Sequence, residues 1–151
     1  MTRLEKNIKK KNSIIFDLDG VLINSKKNMA LSWNFVNKKF NLNISFTQYQ
    51  KHVGLGFQNI LNNLGINNNL KLIEKIYKEQ SLKNINKIIL FPKTLNTLKI
   101  LNSNYNFSIF TSKEKKRTNL IIKKYFKNFK FLFIQSPNIK FKTKPNPKLL
   151  N

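Results

Sequence analysis

The chain has 151 residues, 40% of them hydrophobic: the length of one domain, with enough apolar material for a core. It contains no cysteine, which excludes a disulfide framework, a thiolate metal site and a cysteine nucleophile, and no run approaches the ~18 apolar residues of a membrane span. The net charge of +23 would attract polyanions, but it comes from 27 Lys and only 2 Arg spread along the chain, so nucleic acid is not expected beyond non-specific electrostatic binding.

The basic start TRLEKNIKKKNS is followed only by SIIF before Asp17, too short an apolar run for a secretion signal, so a cytoplasmic protein is expected. Residues 13–18, SIIFDL, read as a buried strand ended by Gly20. From Lys26 the pattern turns helical, with Met29, Trp33, Val36 and Phe40 on one stripe. A short segment follows, then HVGLGF at 52–57, a loop with two glycines. Phe57, Ile60, Leu61 and Leu64 mark a helix closed by Gly65. Leu72, Ile73, Ile76 and Tyr77 mark another. Residues 24–86 therefore read as a helical insert without a strand. Leu95, Leu98 and Leu101 predict a helix, 106–111 a strand, 114–126 a helix and 129–135 a strand. The stretch 88–135 is a βαβ pattern, which predicts a parallel sheet with helices outside it. Residues 136–147 read as a loop.

The only two aspartates of the chain, Asp17 and Asp19, stand together at the carboxyl end of the first strand. That is where open parallel α/β sheets bind ligands. On an extended chain the two side chains project to the same side. Two like charges at a buried strand end need a cation or a shared proton. A Mg²⁺ would neutralise the pair together with a phosphate, and a protonated acid could serve as a donor.

FDLDGVLINS resembles the first motif of the haloacid dehalogenase superfamily of phosphohydrolases, an apolar strand followed by DxDG. NFSIFTSKEKKR (106–117) resembles the second motif, and KTKPNPKLL (142–150) the third, in the family's order. HVGLGFQNILNNLGI is similar to the cap of the phosphoglycolate-phosphatase-like branch. The resemblance implies a Rossmann-like parallel sheet core at 1–23 and 87–151, with a helical cap at 24–86 inserted after the first strand. It implies Asp17 as the nucleophile, Asp19 as general acid and then base, and Lys144 as the screen for the phosphoryl charge. Lys142 is a rival for the last role. Thr111, with backbone amides near Ser112, would hold phosphate oxygens. Mg²⁺ would bind Asp17 and the Asp19 carbonyl, and Gly54 and Gly56 would shape access from the cap. His52, the single histidine, reads as a loop residue.

The family's fourth motif, a further strand carrying Gly-Asp, has no counterpart: no Asp follows Asp19 and no Glu follows Glu114. The core is therefore expected to be C-terminally truncated, with an exposed sheet edge and a weaker metal site. The function implied is a Mg²⁺-dependent phosphatase of a small phosphorylated metabolite, phosphoglycolate or a sugar phosphate, acting through an aspartyl-phosphate. The alternative is a catalytically impaired remnant that binds phosphate or a partner.

Overall fold

A computed structural model describes residues 12–137. The first strand, β1 (Asn12–Phe16), precedes a short strand β2 (Ile23–Asn24) and four helices: α1 (Lys26–Phe40), α2 (Phe46–Gln50), α3 (Phe57–Asn63) and α4 (Leu70–Lys83). A short strand β3 (Ile89–Leu90) leads into α5 (Thr94–Leu101), β4 (Tyr105–Phe110), α6 (Lys115–Tyr125) and β5 (Phe131–Gln135). The order of the longer strands and helices is that expected from the periodicity; β2 and β3 are additional.

The parallel sheet runs β1-β4-β5, with Ile14 opposite Phe107 and Phe107 opposite Phe131. The chain crosses from β4 to β5 through α6, the βαβ unit read from the sequence. β1 lies at one edge of this sheet among the described residues. One expectation is corrected here. β1 is partly exposed rather than buried: Ile14 and Phe16 pack against the core cluster, while Ile15, on the opposite face, is 48% exposed.

A second correction concerns the ends of the helical insert. Ile23–Asn24 pairs antiparallel with Ile89–Leu90, outside the parallel sheet. The insert, read as strandless from residue 24, is thus closed at its neck by two short strands that the sequence reading did not contain. Two residues on each side are too few to show a period in sequence.

Two apolar clusters form. One packs Leu18, Ile23, Leu98, Ile109, Ile121 and Phe126 against the sheet. The other lies among the helices around Trp33, Val36, Tyr49, Ile60, Leu61 and Tyr77. The helical stripes explain the second. α1 buries Trp33 and Val36, and the Trp33 indole N–H donates to the Ile44 carbonyl at 2.9 Å, which fixes the chain leaving α1. Gly65 takes φ +75 beyond α3, and its N–H donates to the Asn62 carbonyl, as expected of a helix end.

Candidate active site

β1 stops at Phe16, and the chain turns tightly. The N–H groups of Leu22 and Ile23 both donate to the Leu18 carbonyl at 3.1 Å. Gly20 takes φ +80, a conformation that glycine adopts without strain. Leu18 points into the core with no exposed surface, so its neighbours Asp17 and Asp19 project the other way. Both line one cavity of about 170 Å³ between the sheet end and the helices. The Asp17 carboxylate accepts the Leu18 N–H at 2.7 Å.

The repulsion between the two acids is resolved partly by a lysine that the sequence reading did not single out. Lys113 Nζ lies 3.2 Å from Asp19 Oδ2, with its side chain only 4% exposed. The Ser25 hydroxyl donates to Asp19 Oδ1 at 2.5 Å. Asp19 is thus held from both sides, by the residue that starts α1 and by the segment that follows β4. Burial lowers the pKa of the Lys113 ammonium, and the Asp19 charge pulls it part of the way back.

The segment after β4 assigns each of its three residues a different task. The Thr111 hydroxyl is buried and accepts the Lys113 N–H at 3.1 Å, turning the chain toward α6. The Ser112 hydroxyl donates to the Gly54 carbonyl at 2.8 Å, tying the loop between α2 and α3 to the core. Lys113 then reaches Asp19. Glu114 starts α6, and the Thr118 hydroxyl donates back to the carbonyls of Lys113 and Glu114.

Arg117, one turn further, enters the cavity wall from the core side. It pairs with Glu114 at 2.7 Å, donates to the Ser81 hydroxyl at 2.6 Å and lies 5.8 Å from the Tyr77 ring centre. Burial opposes its charge, but the Glu114 hydrogen bond and charge outweigh that, and its pKa is raised. Ser81 also exchanges hydrogen bonds with Asn28, so α1, α4 and α6 meet in one buried polar network. Above it the Tyr49 hydroxyl donates to that of Tyr77 at 2.9 Å. Burial raises the pKa of both tyrosines.

Of the residues singled out from sequence, Asp17, Asp19, Thr111, Ser112 and Gly54 line this one cavity. Gly54 takes φ +110 there. Gly56 does not line it; it precedes α3 as the N-cap. His52 is half-buried and off the cavity. Lys142 and Lys144 lie outside the described residues. Sequence reasoning missed Ser25, Tyr49, Tyr77, Lys113 and Arg117. For Arg117 a signal existed: it stands four residues before Ile121, on the buried stripe of α6. Lys113 had none, being one of 27 lysines.

Among the described residues no three Asp, Glu, His or Cys side chains cluster as a metal site. None of the described helices is long and apolar enough to cross a membrane.

The fold is widely shared. A hydrolase of the haloacid dehalogenase-like type from Bacteroides fragilis superposes with a TM-score of 0.83 at 23% identity, over 93% of this chain and 70% of that one. A protein of Lactobacillus plantarum assigned as a phosphoglycolate phosphatase gives 0.84 at 22%, over 93% and 68%. A protein of Clostridium acetobutylicum assigned as a phosphatase gives 0.75 at 18%, over 86% and 62%. At these identities the likeness establishes the fold. A comparison with curated protein sequences finds no match. The sequence model of the haloacid dehalogenase-like hydrolases, however, matches residues 14–151, and the chain belongs to that family.

Proposed function

We propose that the chain hydrolyses monophosphate esters of small metabolites through a phosphorylated Asp17. One observation carries this reading: Asp17 and Asp19 flank the buried Leu18 at the carboxyl end of β1 and share a cavity with Thr111. Asp17 attacks phosphorus, and the bond to the ester oxygen breaks. Asp19 supplies the proton to the departing oxygen, then accepts one from the water that releases inorganic phosphate. The Thr111 hydroxyl, which already accepts the Lys113 N–H, is left to donate to a phosphate oxygen.

The donor chemistry suits Mg²⁺. The acids are hard oxygen ligands, and with the Asp19 carboxylate occupied by Ser25 and Lys113, the Asp17 carboxylate and the Asp19 main-chain carbonyl would hold the ion. When bound, it would offset the charge of the phosphate dianion. The site's size supports a short substrate: about 170 Å³ is well under the ~300 Å³ at which typical ligand pockets begin. Phosphoglycolate, named for the Lactobacillus plantarum relative, or a small sugar phosphate meets this limit.

The test is Mg²⁺-dependent release of phosphate from an aryl phosphate by the purified chain, with Asp17→Asn as control and circular dichroism to check folding. Turnover that needs both Mg²⁺ and Asp17 is expected. A folded chain without turnover would overturn the reading and leave phosphate binding alone.

A further inference from the structure

Among the described residues two buried cations line the cavity, Lys113 and Arg117, and they differ in what they have left to give. Arg117 is engaged on Nε and NH2 by Glu114 and on NH1 by Ser81, with Tyr77 beside its face. Its charge is balanced and its donors are largely used, so it holds the wall in place. Lys113 has one partner among the described residues, Asp19 Oδ2 at 3.2 Å. An ammonium carries three donors. Two remain, on a side chain 4% exposed whose residue lines the cavity. Buried charged donors without acceptors are costly, and the strongest acceptor for them is an anionic oxygen. The single partner is itself shared, since Ser25 occupies the other Asp19 oxygen.

Position supports the same conclusion. Lys113 is two residues from Thr111, and the Thr111 hydroxyl is hydrogen-bonded to the Lys113 N–H. The backbone that aims the hydroxyl therefore also aims the ammonium. Ser112, between them, fastens the loop at Gly54 over the same space.

We propose that Lys113 is a substrate-contacting residue whose ammonium bridges Asp19 and an oxygen of the bound phosphoryl group. This rests on the phosphatase reading for its substrate but not for its test, which is binding of inorganic phosphate. In this arrangement one lysine orients the Asp19 carboxylate and anchors the anion it acts upon. Removing it weakens phosphate and substrate together, and conservative replacement restores part of both.

The experiment is calorimetric titration of inorganic phosphate into the wild-type chain and into Lys113→Met, Lys113→Arg and Lys116→Met, all at one fixed Mg²⁺ concentration. Methionine keeps the buried apolar stem, and circular dichroism checks that each variant folds. Lys116 is exposed on α6 and controls for loss of one surface charge. Lys113→Met should weaken phosphate by about tenfold or more, Lys113→Arg by less, and Lys116→Met hardly at all. In turnover, KM for the aryl phosphate should rise with Lys113→Met and recover partly with Lys113→Arg. Equal phosphate affinity in a folded Lys113→Met, or equal losses in Lys113→Met and Lys116→Met, would overturn the proposal, as would a wild-type chain that binds no phosphate. Lys113-dependent binding without turnover would support it while removing the phosphatase reading. Asp17-dependent turnover with phosphate inhibition unchanged in Lys113→Met would do the reverse.

Discussion

In the helical cluster, Trp33 and Tyr49 stack with ring centres 4.5 Å apart, and Phe57 meets Tyr77 at 4.5 Å. In the sheet, by contrast, Leu132, Phe133 and Ile134 of β5 are all exposed, as is Ile15 of β1. The difference follows from what each element needs. A helix satisfies its own backbone hydrogen bonds and has one stripe to bury, so a few helices can close on one another. A strand needs partners at both edges and cover on both faces. The candidate active site lies where the two regions meet, and its polar groups come from both. The core supplies Asp17, Asp19, Thr111, Lys113 and Arg117, and the helices supply Tyr49, Tyr77 and Ser81.

This contrast can be broken by experiment. The largest effect is chemical and confined to the core side. Asp17→Asn should lower kcat by about 10⁴-fold or more while the fold persists, read by phosphate release and circular dichroism. Comparable loss from a helical-side variant such as Tyr49→Phe would erase the division of labour. Next is packing. Trp33→Ala should cost about 3–5 kcal/mol in urea unfolding, whereas Phe133→Ala on the exposed strand should stay within about 0.5 kcal/mol. Equal costs would mean that β5 is as well covered as the helical cluster.

A smaller effect is expected at the seam. Ser81→Ala leaves Arg117 NH1 and the Asn28 carboxamide short of a partner, at a cost of about 1–3 kcal/mol. The smallest concerns alkaline pH. Burial is the main cause of the raised pKa values of Tyr49 and Tyr77. In the unfolded chain tyrosines ionise near ~10. Above that pH the unfolded state has released protons that the folded state keeps, so stability falls as pH rises. The melting temperature should drop through this range, and less steeply in Tyr49→Phe. An unchanged slope would remove Tyr49 as a contributor.

Much of this was legible in the sequence, for reasons that differ by residue. Trp33, Val36, Ile60 and Ile73 are buried where the 3.6-residue stripes place them. Asp17 and Asp19 line one cavity because they flank an apolar residue, and alternation is local. Asn28 and Ser32 were not legible: they are polar, yet wholly buried on α1. Their burial is stabilised by hydrogen bonds, and the Asn28 partner, Ser81, is 53 residues away. The pairing of β2 with β3 joins segments too short to announce themselves.

The order of the longer elements, the run of helices after the first strand, the pair of acids at a strand end and membership in a hydrolase family could all be read from the linear chain. Each is a local pattern or an ordered set of local patterns. Which one of 27 lysines stands 3.2 Å from Asp19, and that Arg117 reaches Ser81 as well as Glu114 on its own helix, depends on how the chain folds back on itself. A charge's role depends on what faces it. For Lys113 that is set by β4 lying beside β1, and for the second partner of Arg117 by α6 reaching Ser81 of α4, 36 residues away; only Glu114, one turn back on α6, stands in the same short window.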